Sequence, residues 1–262
     1  MKNGSPFGIV AVTAVLAAAP VAAEEIVQLE TRPGVTVRVA VLEAMKEPVG
    51  TVILFPGGDG QLKLADGDAF LNKTGNFVIR ARRRFAHAGF LTVSVDVPSD
   101  RDSLHDFRAA TGHGTDIGRI IAWARARSDK PVWLIGFSRG SISAANGAAH
   151  LELPPGGPDG IVLMSSVTET SRDGKATIHD VDLKRIRVPV IVAHHRDDQC
   201  YVTPLYGARS LARKLNAKVI EVSGGKDPVS GPCNAKSQHG FFGVEKTIVR
   251  EVVPAMRAAA GN

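Results

Sequence analysis

Residues 136–140, Gly-Phe-Ser-Arg-Gly, hold Ser138 between two glycines in a G-x-S-x-G pattern. Five residues of this kind recur by chance, so context decides between a nucleophile and a hydroxyl in an ordinary glycine-flanked turn. A serine hydroxyl is a poor nucleophile at neutral pH. It needs a neighbouring base to take its proton, and the base needs an acid to orient it. The chemistry in prospect is acyl transfer. Downstream of Ser138 stand the run His194-His195-Arg196-Asp197-Asp198 and, later, His239, among eight histidines in all. Reading that run as a metal site is unconvincing, because adjacent residues at the end of an extended strand point opposite ways.

Such groups meet only if strands and helices carry them. The apolar run 132–136 predicts a buried strand leading into Ser138, and the small-residue stretch 139–150 predicts a helix leaving it. The helix would turn its N-terminal amides and positive dipole end toward the serine. The same alternation fills the chain. Strands are expected at 35–42, 51–55, 91–97, 161–165, 188–194 and 218–222. Helices are expected at 76–88, from Thr115 or Asp116 as a cap to 127, at 205–215, and from about 244, with a kink or restart at Pro254. Runs such as 188–193 and 161–164 are apolar throughout, as befits strands with helices on both faces. Alternating βα units imply a doubly wound, mostly parallel sheet in one α/β domain.

The serine on a strand–turn–helix elbow resembles that of the α/β-hydrolase superfamily, over essentially the whole mature chain. That superfamily orders its triad as serine, acid, histidine. The resemblance implies Asp198 as the acid, laying His194-His195 on a motif near H-G-x-x-D. Asp197 stays as an alternative because His195 stands where glycine is usual, and Glu169 is a third candidate. It implies His239, after the last strand, as the base. His105 and His113 are expected to line the site without acting as base. Pro56-Gly57-Gly58-Asp59-Gly60 resembles the oxyanion loop, with Pro56 where histidine is usual. The expected donors to an oxyanion are the backbone N–H of Arg139 and of Gly58, with Asp59 second. Only residues 166–187 lie where lids are usually inserted, so no large lid is expected. Phe137, Phe241 and Phe242 are equally suited to an acyl-binding wall and to the core.

The first 23 residues carry Lys2, an apolar run and Val21-Ala22-Ala23 before Glu24. This is the form of a signal peptide cleaved after Ala23, so a periplasmic or secreted protein is expected. In an exported chain the only two cysteines, Cys200 and Cys233, are expected to form a disulfide, which would tie the acid loop to the histidine loop. The formal net charge of +6 comes without basic tracts interleaved with aromatics, which argues against nucleic acid. Arg80, Arg82, Arg83 and Arg84 are expected to form a solvated helix face. No cofactor, metal or membrane partner is implied for the mature form. These readings point to an exported serine hydrolase acting on a small-molecule carboxylic ester through an acyl-enzyme. A peptidase or amidase of the same fold and a non-catalytic binding protein are the alternatives.

Overall fold

The computed structural model describes residues 1, 24–65 and 74–261. The expected signal peptide falls on residues outside that range except Met1, as do residues 66–73. Among the described residues eight strands form one sheet: β1 (Glu25–Arg32), β2 (Val35–Leu42), β3 (Gly50–Phe55), β4 (Phe90–Pro98), β5 (Val132–Phe137), β6 (Gly160–Met164), β7 (Val190–His195) and β8 (Lys218–Val222). Their spatial order is β1-β2-β4-β3-β5-β6-β7-β8. β2 runs antiparallel to both its neighbours, and every pair from β4 onward in that order is parallel. Among the described residues five helices flank the sheet: α1 (Phe77–His87), α2 (Thr111–Arg127), α3 (Gly140–His150), α4 (Leu205–Lys214) and α5 (Glu245–Ala260), the last of them following β8.

Period-two alternation along the strands explains the three layers. Ile53, Phe55, Leu134, Ile161 and Val192 face α2, α3 and α4. Val52, Leu54, Ile135, Val162 and Ile191 face α1 and α5. Both faces are buried, and that is why the central strands are apolar throughout. The segment from β6 to β7 holds two short 3-10 turns, Ile178–Asp180 and Leu183–Arg185, and no inserted lid.

Three boundaries differ from expectation. β1 was not anticipated. It is a polar edge strand with a weak apolar signal. α2 starts at Thr111 rather than at a cap on Thr115 or Asp116. Asp116 is buried and occupied elsewhere, accepting from Arg32 Nε of β1 at 2.8 Å. At Pro254, where a kink or a restart was expected, α5 is continuous and does not restart. Pro254 and Arg250 both lie on its exposed face, where water can serve the carbonyl that loses its donor.

Candidate active site

The candidate residues gather at the carboxyl ends of the parallel strands. Ser138 follows β5 directly, with φ at 54°, in the left-handed region that non-glycine residues avoid. Its amide donates to the Met164 carbonyl at 2.8 Å, and its carbonyl accepts from Ser141 N and Ser141 Oγ. Those bonds hold a conformation costing about 1–3 kcal/mol. The two flanking glycines are required by close approach. A Cβ on Gly136 would lie 2.2 Å from the Gly140 carbonyl oxygen, and one on Gly140 would lie 2.1 Å from the Phe55 carbonyl oxygen. Strand, elbow and helix therefore pack too tightly for any side chain at either position.

Asp198 follows β7, and His239 lies in the short 3-10 turn Gln238–Gly240 after β8. The structure joins them: His239 Nδ1 lies 3.0 Å from Asp198 Oδ2, and both side chains are almost wholly buried. Asp198 Oδ2 also accepts from Thr203 Oγ1 at 2.9 Å, while Oδ1 accepts from the Cys200 amide at 2.9 Å. Thr203 Oγ1 is in turn 3.1 Å from His239 Nδ1. The carboxylate is thus held by three donors on both its oxygens. The imidazole carries its proton on Nδ1 when it donates to that carboxylate, which leaves Nε2 as the basic nitrogen. Ser138 and His239 line one cleft of about 410 Å³ with Phe137 and Gly58.

Several groups hold the histidine turn. Ser165 Oγ donates to the His239 carbonyl at 3.0 Å. Arg80 of α1 donates to the Ala235 and Gly240 carbonyls at 3.0 and 2.9 Å and pairs with Glu245 at 2.6 Å. Arg80 was expected on a solvated face. It is instead a tether, because its partners arrive from a segment some 155 residues away. Ser165 carried no sequence signal, and Thr203 carried only its place five residues after Asp198.

Cys200 and Cys233 are bridged, with sulfurs 2.06 Å apart. The bridge spans the acid loop and the segment before His239. It borders two clefts that meet at Ser138 and Gly58. The second, of about 390 Å³, is lined by Arg139, Val167, Ser171, Arg172 and Tyr201. The Arg139 side chain turns away from the serine toward Ser171 Oγ and the Ala176 carbonyl. Opposite the elbow, the loop 56–60 presses so close that a Cβ on Gly57 would lie 2.9 Å from Ser138 Cβ. Among the described residues, neither the Gly58 nor the Arg139 amide is paired with an acceptor.

The other candidates are placed elsewhere. Asp197 is largely exposed and 3.8 Å from His195 Nδ1. Glu169 carries a hydrogen bond to Tyr206 that raises the tyrosine pKa. His195 is fully buried, with Nε2 at the Gly224 carbonyl. His194 is also fully buried, 3.7 Å from Asp198 Oδ2, and burial first of all brings its pKa down to about 4. His113 does not line the site. It is buried in α2 between the Phe55 and Phe107 rings, where burial takes its pKa to about 3. His105 stays in the loop beyond β4, its pKa lowered by burial and then by Lys175, Arg139 and Arg108. Phe241 packs against Phe77 and Phe137 in the core. Phe137 meets the His239 ring at 5.0 Å and lines the cleft. Phe242 is half-buried, with Lys226 over its ring.

No family model matches the chain, and no curated protein matches it in sequence. Solved structures match it in shape. An α/β serine hydrolase without lid from Xanthomonas campestris is 18% identical, with a TM-score of 0.59 over 88% of this chain and 95% of that one. A thermostable carboxyl esterase from Bacillus coagulans is 11% identical, with a TM-score of 0.60 over 91% and 99%. An acylaminoacyl peptidase from Pyrococcus horikoshii is 12% identical, with a TM-score of 0.61 over 89% of this chain and 41% of that one. At these identities the likeness is one of fold.

Proposed function

On the α/β-hydrolase fold that these likenesses establish, we propose that the chain is an exported serine hydrolase cleaving carboxylic esters through an acyl-enzyme. One observation carries this reading. A serine in a left-handed elbow and a buried, carboxylate-bonded histidine line the same cleft at the strand ends. Ser138 Oγ attacks the ester carbonyl carbon while its proton passes to His239 Nε2. Asp198 holds the imidazole and offsets the charge it gains. The amides of Gly58 and Arg139 hold the oxyanion, each worth about 10²–10³ in rate. Collapse expels the alcohol, which takes the proton from His239. Water activated by the same nitrogen then attacks the acyl-enzyme and frees the acid and Ser138.

The disulfide supports an oxidising compartment, which fits an exported protein. No helix among the described residues is long and apolar enough to cross a membrane. A fluorophosphonate probe on the full chain tests the nucleophile: the native protein is expected to label and Ser138→Ala to resist. Labelling of both, or of neither, removes Ser138 from the role. Turnover of p-nitrophenyl acyl esters in preference to aminoacyl anilides is expected, and the reverse preference makes the protein a peptidase. Retained binding with no turnover of either makes it a binding protein.

A further inference from the structure

Arg108, in the segment between β4 and α2, is 1% exposed and among the largest fully buried side chains. Its guanidinium makes three bonds. Nη1 donates to Ser143 Oγ at 2.7 Å, and Nη2 donates to the Pro56 carbonyl at 2.9 Å and the Gly58 carbonyl at 3.2 Å. Burying a cation whose hydrogen-bond acceptors are neutral is costly, and the charge of Asp59 offsets that cost only in part. Burial, and next the charge of Arg139, brings its pKa down to about 9, so it remains charged at neutral pH. An apolar side chain would fill the same volume without that cost, so the polar fork calls for an explanation.

Peptide geometry supplies one. In a trans peptide the C=O and the N–H that follows point in opposite directions. By holding the Pro56 and Gly58 carbonyls, Arg108 fixes the Pro56–Gly57 and Gly58–Asp59 peptide planes. Between them lies the single peptide that carries the Gly58 N–H. Glycines stand on both sides of that peptide, and glycine passes between positive and negative φ at little cost. Gly58 already stands at φ 66°. Unclamped, the central peptide is free to swing its N–H out of the cleft. The third bond reaches Ser143 on α3, the helix that follows the Arg139 amide.

We infer that Arg108 is a positioning residue of the oxyanion hole. Its guanidinium locks the Gly57–Gly58 peptide with the N–H toward the cleft, in register with the Arg139 amide. This rests on the function proposed above. The test compares the full-length native chain with Arg108→Lys, which keeps the charge and loses the fork, and Arg108→Met, which loses both. Readouts are p-nitrophenyl acetate hydrolysis, inhibition by a trifluoromethyl ketone whose adduct places an oxyanion in the hole, and crystal structures of each folded variant.

In both variants kcat is expected to fall roughly 10- to 100-fold, below the loss of a whole donor. KM stays within about twofold, because the interaction belongs to the transition state. The ketone Ki rises by the same factor as kcat falls, and the Gly57–Gly58 peptide is turned in the variant structures. A folded Arg108→Lys with native kcat and Ki, or with KM changing in place of kcat, overturns the inference. If Arg108→Met does not fold, Arg108→Lys alone decides. Turnover that survives Ser138→Ala, or native protein with no turnover, counts against the proposed function. The loop structure in Arg108→Lys still decides the inference then, since a peptide left in its native orientation overturns it without any assay.

Discussion

Replacing Cys200 and Cys233 together with alanine opens a covalent ring whose ends are 33 positions apart in sequence, running from the acid loop to the segment before His239. In the chain-entropy picture a ring of that size stabilises the fold by about 3.7 kcal/mol. For a chain of this length that is a drop of about 7–15 °C in Tm. A second effect concerns geometry. Cys200 is buried beside Val167 and Val202, and its amide is one of the three donors on Asp198. Cys233 lines both clefts beside Ser138. Releasing both ends lets the acid and histidine loops move independently. A catalytic group misplaced by about 1 Å can cost about 10²-fold, so kcat is expected to fall roughly tenfold or more at temperatures where the variant is fully folded. Calorimetry gives the first quantity, and ester hydrolysis well below the melting range gives the second. An unchanged Tm refutes the entropy estimate. A lowered Tm with native kcat refutes the idea that the bridge sets catalytic register. Free thiols in oxidised protein by mass spectrometry would remove the bridge itself.

Thr203→Val removes a buried donor to the Asp198 carboxylate and leaves the shape nearly unchanged. Hydrogen bonds to charged groups are worth about 1.5–3 kcal/mol, so stability is expected to fall by that order and kcat roughly tenfold. Native values of both in urea melts and initial rates would show that the hydroxyl is idle. Acid stability follows from His113, whose pKa of about 3 lies below its unfolded 6.5. Between those values the unfolded chain binds the proton more readily. The stability tied to neutral His113 is therefore complete above pH 6.5 and is lost as pH falls toward 3, by up to about 5 kcal/mol. His194, at about 4, acts with the same sign. His113→Phe is expected to shrink the Tm difference between pH 7 and pH 4. An equal difference in variant and native protein rules out His113 as its source.

The parts of this protein legible in its sequence are those written in short windows. Apolar runs between helical stretches announce a sheet covered on both faces. Gly136 and Gly140 around Ser138 announce a turn too tight for a Cβ. The helical period of 76–88 was equally plain. Other features were hidden because their meaning lies across the molecule. A helical wheel places Arg80 among arginines, while its partners come from the His239 turn. Asp116 looks like a cap until Arg32 of an unforeseen edge strand claims it. His113 looks like a site histidine until α2 begins a turn early and packs it between two rings. The sequence by itself determined which segments become strand, elbow and helix, since backbone preference and apolar period act over neighbouring residues. Tertiary structure decided that His239 meets Asp198 and not Asp197 or Glu169, and that Thr203, Ser165, Arg80 and Arg108 hold the parts in place. Those contacts join residues tens to more than a hundred positions apart, and they exist only once both faces of the sheet are buried in one strand order.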